Sequence, residues 1–160
     1  MKRFRIVISG LLAAFVLGVE PGLAGASLPA PVLQLRAAVN STQATYRHVR
    51  ALLNADPIAD IGTPGFAARI AIQMNDLVVP LEHEQADLLN SAVIAAAGST
   101  ATKLALAITQ LVYVCGLAYA GAQTIATWHE YEVGFDSALN SYNADVVNLA
   151  ARLGFTVTGL

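Results

Sequence analysis

From residue 31 onward, apolar residues recur along the chain in alternating steps of three and four, the spacing of one helical face, and four such rows can be followed. Val32, Leu35, Val39, Thr42, Tyr46, Val49 and Leu53 form the first and predict a helix from about Pro31 to Asn54. Arg36, Gln43, Arg47 and Arg50 fall off its stripe. Asp56-Pro57 closes this helix, and Ile58 to Gly62 reads as a connecting loop. Thr63-Pro64 then supplies a capping hydroxyl followed by a proline at the first helical position. The second row holds Phe66, Ile70, Met74, Leu77, Leu81 and Leu88, in a helix expected to end near Gly98. Pro80 lies inside it and predicts a kink, because the row keeps its phase from Leu77 to Leu81.

The third helix is expected to be capped by Ser99 or Thr100. Its row is Leu104, Ile108, Leu111, Cys115, Ala118, Ala122 and Ile125, with Leu106, Val112, Val114 and Leu117 apolar off the stripe. The row lapses at His129, Glu132 and Asp136. A new one runs through Phe135, Leu139, Tyr142, Val146, Leu149 and Leu153, so a break around Gly134 is predicted between helices three and four. Arg152 and Gly154 suit a helix end, and Phe155 to Leu160 reads as a loose tail. Four amphipathic helices with short connections predict an all-α fold, an antiparallel four-helix bundle.

The first 26 residues have a different pattern. Lys2, Arg3 and Arg5 precede the apolar run Ile6 to Val19, and Ala24-Gly25-Ala26 offers a small-residue cleavage site. These are the parts of a secretory signal peptide, with cleavage expected after Ala26 and the bundle domain spanning 27–160. The product would be secreted or cell-wall associated. The leader carries three of nine basic residues and one of eleven acidic ones, which leaves six against ten and a net charge of −4. Phosphate binding needs clustered positive charge, so nucleic acid is not an expected partner. Cys115 is the single cysteine, so no disulfide within the chain is expected and packing must hold the fold.

Candidate chemistry is sparse. Leu104 to Thr127 has no charge and is long enough to span a bilayer. Thr109, Gln110, Gln123 and Thr124 interrupt its apolar character, and the acidic residues beyond it invert the positive-inside bias. A buried central helix is therefore expected, with a membrane span as the alternative. His83-Glu84 and His129-Glu130 lack the second histidine four residues on that a zinc helix needs. His83 and Asp87 could share a face, but a solvated helix surface is the expected role, and no metal or cofactor is predicted. Cys115 has no basic neighbour in sequence and reads as a buried inert thiol. His48 reads as a surface histidine, no serine has a nucleophile context, and no enzyme is expected. Asn40-Ser41-Thr42 fits the N-glycosylation acceptor, although Thr42 falls in the apolar row.

The densest local feature is Trp128, His129, Glu130, Tyr131, Glu132, with Phe135 beyond. Trp128 closing the end of the core is the plainer reading. As an exposed patch, Trp128, Tyr131 and Phe135 would be candidate surface-binding residues.

Residues 30 to 153 also resemble the fungal hydrophobic surface binding proteins, a family that includes cell-wall mannoproteins. The resemblance rests on a first helix, a glycine-containing loop, and Ala71-Ile72-Gln73 leading to Leu77, Leu81 and Leu88. It continues in Phe135-Asp136 before a terminal amphipathic helix, while the Lys-Lys-Pro usual before that step is replaced by Trp128 to Gly134. It implies a secreted, disulfide-free, helical, non-enzymatic protein that associates with hydrophobic surfaces, lipids or the cell wall. The alternative is a structural or adaptor bundle that pairs with a protein partner.

Overall fold

The computed structural model describes residues 28–56 and 58–157. The expected leader, residues 1–26, lies outside them, as do residues 158–160 of the expected tail. The described residues form six α-helices: α1 Ala30–Ala55, α2 Pro64–Leu88, α3 Ser91–Ala97, α4 Ser99–Gly116, α5 Ala118–Gly121 and α6 Ile125–Leu153. A 3-10 turn, Ile58–Asp60, sits between α1 and α2. The fold is all-α. Its four long helices, α1, α2, α4 and α6, make the bundle, and the short ones turn its corners.

Each long helix buries the row that its spacing marks. Leu35, Val39 and Val49 of α1 meet Ile70, Met74, Leu77 and Leu81 of α2 in one core with Leu104, Ile108 and Leu111 of α4 and Leu139, Val146 and Leu149 of α6. Each such side chain contributes roughly 1.5–3 kcal/mol relative to exposure. Thr63 caps α2 by accepting from the Phe66 N–H at 3.2 Å. Arg69 ties the preceding turn to α2 through Asp56 at 3.1 Å and Asp60 at 3.2 Å. Helix α2 runs on through Pro80, because Leu77 and Leu81 are buried on either side of it.

Three boundaries differ from expectation. The second helix stops at Leu88, since the Asn90 side chain accepts from the Ala92 N–H at 3.0 Å and starts a separate α3. Neither Ser99 nor Thr100 caps the third helix: Gly98, at φ 59°, makes a bend of 113° between α3 and α4. The break expected around Gly134 lies instead at residues 117–124. There α4 ends, α5 makes one turn, and Thr124 and Thr127 form a reciprocal capping box that opens α6. Gly134 is thus interior to one continuous helix, and Trp128 and Tyr131 extend the row of Phe135 backwards. Ile125, expected in the third row, is exposed.

The expected loose tail is also tied down at its start. Gly154 turns the chain in the left-handed region (φ 75°), the Phe155 N–H donates to the Ala150 carbonyl at 3.0 Å, and the Phe155 ring packs on Val32 and Ala150.

Helix neighbours run α1–α2, α2–α4 and α4–α6, with a lighter seam between α6 and α1. Contacts between Gln43 and Asn143 and between Tyr46 and Phe135 show that α1 and α6 are antiparallel. Helices α2 and α6 stand diagonally opposite. Only side chains reaching through the middle join them, as Phe66–Trp128 and Glu84–Tyr142 do.

Candidate functional site

Trp128, Tyr131 and Phe135 do not form an exposed patch. All three are buried at the end of the bundle, where successive rings stack along α6 with centroids 5.4 and 6.2 Å apart. Phe66 meets the Trp128 ring edge-on at 5.4 Å. The spacing of three and four residues puts these rings on the core side of α6, so in the closed bundle none offers its face to solvent. Burial raises the Tyr131 phenol above its ordinary value, and its hydroxyl has no hydrogen-bond partner among the described residues.

Large apolar side chains are exposed at several places, Ile72, Leu89 and Val133 among them, and they recur along the outer side of α4 and the corner that follows. Leu106, Tyr113 and Ile125 are 66%, 67% and 69% exposed, and Leu117 and Tyr119 also face outward. Residues 106, 113 and 117 are seven and four apart, so they align on one helix face. Between Lys103 and Glu130 the chain has no charged side chain. The intervening exposed positions include Thr109, Gln110, Gln123, Thr124, Thr127, His129 and small residues. This is an uncharged apolar strip set against an otherwise acidic protein. Among the described residues no single helix is long and apolar enough to cross a membrane. Leu104 to Thr127 is divided among α4, α5 and the start of α6.

A second feature lies inside. Glu84 is fully buried (0% exposed) and accepts from the Tyr142 hydroxyl at 2.7 Å. Thr42 and Gln43, also buried, come to the same place from α1. The Gln43 amide donates to the Asn143 side-chain oxygen at 3.2 Å, so Gln43, expected off the stripe, is part of the interior. The Thr42 hydroxyl donates to the Ala38 carbonyl at 3.2 Å, and the second Glu84 oxygen, Oε1, has no hydrogen-bond partner among the described residues. Burial pushes the Glu84 carboxyl up to about 7, with Tyr142 and Thr42 moderating the rise and Asp87 adding to it. Burial and the Glu84 charge hold the Tyr142 phenol well above its ordinary value, so it is a neutral donor. The signal for Glu84 was present in the row itself, since position 84 falls in step between Leu81 and Leu88.

The remaining candidates stay apart. His83, Asp87 and Asp76 rim a groove of about 740 Å³ between α1 and α2, floored by Ala38, Ser41 and Pro80. No group of three metal-ligating side chains occurs among the described residues. His48 and His129 are exposed. Cys115 is buried, and burial pushes its thiol up to about 12, which makes it a poor nucleophile.

Compared with known proteins, the chain matches no family model, no curated protein and no solved structure.

Proposed function

We propose that this is an exported, non-enzymatic binding protein that associates with hydrophobic surfaces or lipid. The observation that carries the reading is the uncharged strip of Leu106, Tyr113, Leu117, Tyr119 and Ile125. Water is removed from apolar side chains when such a strip meets oil, and with no charge in it no ion is desolvated. The light α1–α6 seam supports a second step. Parting there would let the inner rows trade contacts with each other for contacts with the surface, at nearly constant apolar area removed from water. The resemblance to hydrophobic surface binding proteins points the same way, as does a leader suited to export.

The test is adsorption of the protein to lipid droplets or polystyrene beads at low and high salt, compared with Leu106→Glu/Tyr113→Glu. Wild type should bind with its helical circular dichroism retained and without loss at high salt, because the acidic protein gains nothing from ionic attraction. The double variant should bind at least about tenfold more weakly, a loss of roughly 1.4 kcal/mol. Wild type that stays in the aqueous phase at every salt concentration would overturn the reading in favour of a bundle that pairs with a protein.

A further inference from the structure

We propose that Glu84 and Tyr142 form a proton-controlled latch across the bundle, which stabilises the fold most while the Glu84 carboxyl carries its proton and less once a charge is left buried there.

The two residues belong to α2 and α6, helices that are not packed neighbours, and their 2.7 Å hydrogen bond crosses the bundle's diagonal. Thr42 and Gln43 bring α1 to the same point, and Gln43 extends the network to Asn143 beside the α1–α6 seam. Three of the four long helices are therefore joined at one buried polar spot within an otherwise apolar core.

The cost of the site depends on the proton. The Tyr142 hydroxyl donates to Oε2 and the Thr42 hydroxyl donates to the Ala38 carbonyl, while Oε1 has no hydrogen-bond partner among the described residues. With Glu84 neutral, this unpartnered oxygen carries a proton and the buried site holds no charge. With Glu84 ionised, the carboxylate keeps the Tyr142 donor on Oε2, and Oε1 has none among the described residues. A buried charge with no cation beside it is costly, and the surroundings offset it only in part. The groups that act on Glu84 are Tyr142 and Thr42, which are neutral, and Asp87, which repels it. Helix α1 supplies Thr42 and Gln43 and no cation, and α3 has no titratable side chain. The single charged residue of α4 is Lys103, which is exposed near its start. On α2, His83 points into the outer groove.

The sign follows. The folded protein holds the Glu84 proton more tightly than the unfolded chain, for which the ordinary value is 4.5, and releases it at about 7. The latch is fully effective below about pH 4.5 and loses strength as pH rises to about 7, beyond which the loss levels off. Glu132 and Asp136 of α6 are also raised by partial burial, so they add a smaller trend of the same sign.

The experiment is thermal melting from pH 4 to pH 8.5 on wild type, Glu84→Gln and Tyr142→Phe, together with a carbon-13 NMR titration of the wild-type glutamate carboxyls. Wild type should lose roughly 5–10 °C of melting temperature between pH 5 and pH 8. Glu84→Gln should keep only the shallow remainder due to Glu132 and Asp136, and the Glu84 carboxyl should titrate near neutrality. Tyr142→Phe should lower the melting temperature at pH 5, and, with the moderating hydrogen bond gone, its Glu84 carboxyl should release the proton at higher pH than in wild type, so that the fall extends to higher pH. A Glu84→Gln protein that falls as steeply as wild type would overturn the latch. If that variant does not fold, the wild-type titration decides, and a Glu84 carboxyl titrating near 4.5 refutes it.

Discussion

A side chain at position 121 would collide with Tyr131: a Cβ built on Gly121 would stand 2.6 Å from the Tyr131 Cβ and 2.7 Å from its Cγ. The one-turn helix α5 can lie against α6 only because residue 121 has no side chain, and this contact holds the bundle corner closed beneath the apolar strip. Gly121→Ala should therefore cost about 1–3 kcal/mol, the usual effect of overfilling a packed site. Gly134 is the control. It lies inside α6 with open space around it, so Gly134→Ala should gain roughly 0.5–1 kcal/mol from helix propensity. Urea unfolding followed by circular dichroism measures both, and equal effects of the same sign would contradict the packing at the corner.

Leu139 is buried among the core side chains of α6, on the row that the sequence pattern marks. Leu139→Ala should cost about 2–5 kcal/mol by the same urea measurement. A change under about 0.5 kcal/mol would mean that this face of α6 meets solvent.

The four long helices were legible because each carries a row in steady phase, and rows survive errors at their ends. The corners were not, because they are set by single capping groups that interrupt a row without changing its composition. Asn90 ends α2 beside apolar Leu88 and Leu89, and Thr124 with Thr127 opens α6 within a charge-free stretch. Charged residues flank Trp128 and Tyr131 and hide their place in the fourth row, although their steps to Phe135 are three and four. Thr42 and Tyr142 fall on predicted core rows, whereas Glu84 stands out in the sequence only through the His83-Glu84 pair. A carboxylate in an apolar phase reads as surface until a partner on another helix is known, and Tyr142 is 58 residues away.

Cys115 reports on opening. Its thiol is buried and pushed up to about 12, so at pH 8 an alkylating reagent should modify it far more slowly than a free thiol. Adding lipid droplets should speed the reaction if the bundle parts on the surface. Protection that is complete in solution and unchanged on droplets would show that only the outer strip is used.

First contact with a surface and opening of the bundle are separable steps. The strip on α4 needs no rearrangement to touch a surface, whereas the inner rows become available only if α1 and α6 part. Their seam is light and includes the Gln43–Asn143 hydrogen bond at 3.2 Å, the tilted Tyr46–Phe135 pair, the Arg50 guanidinium near Asp136, Thr42 and Gln43 beside Tyr142, and Val32 packed with Ala150. A flexible bis-maleimide tether between Arg47→Cys and Asn140→Cys, both exposed positions on facing helices, would leave the strip untouched and hold the seam. Tethered protein should still reach droplets but wash off readily, while the untethered double-cysteine protein stays bound. The difference should appear in the off-rate, since the encounter surface is the same in both. Equal retention of the two forms would mean that binding uses the closed bundle, and removal of binding altogether would mean that the strip alone makes no productive contact.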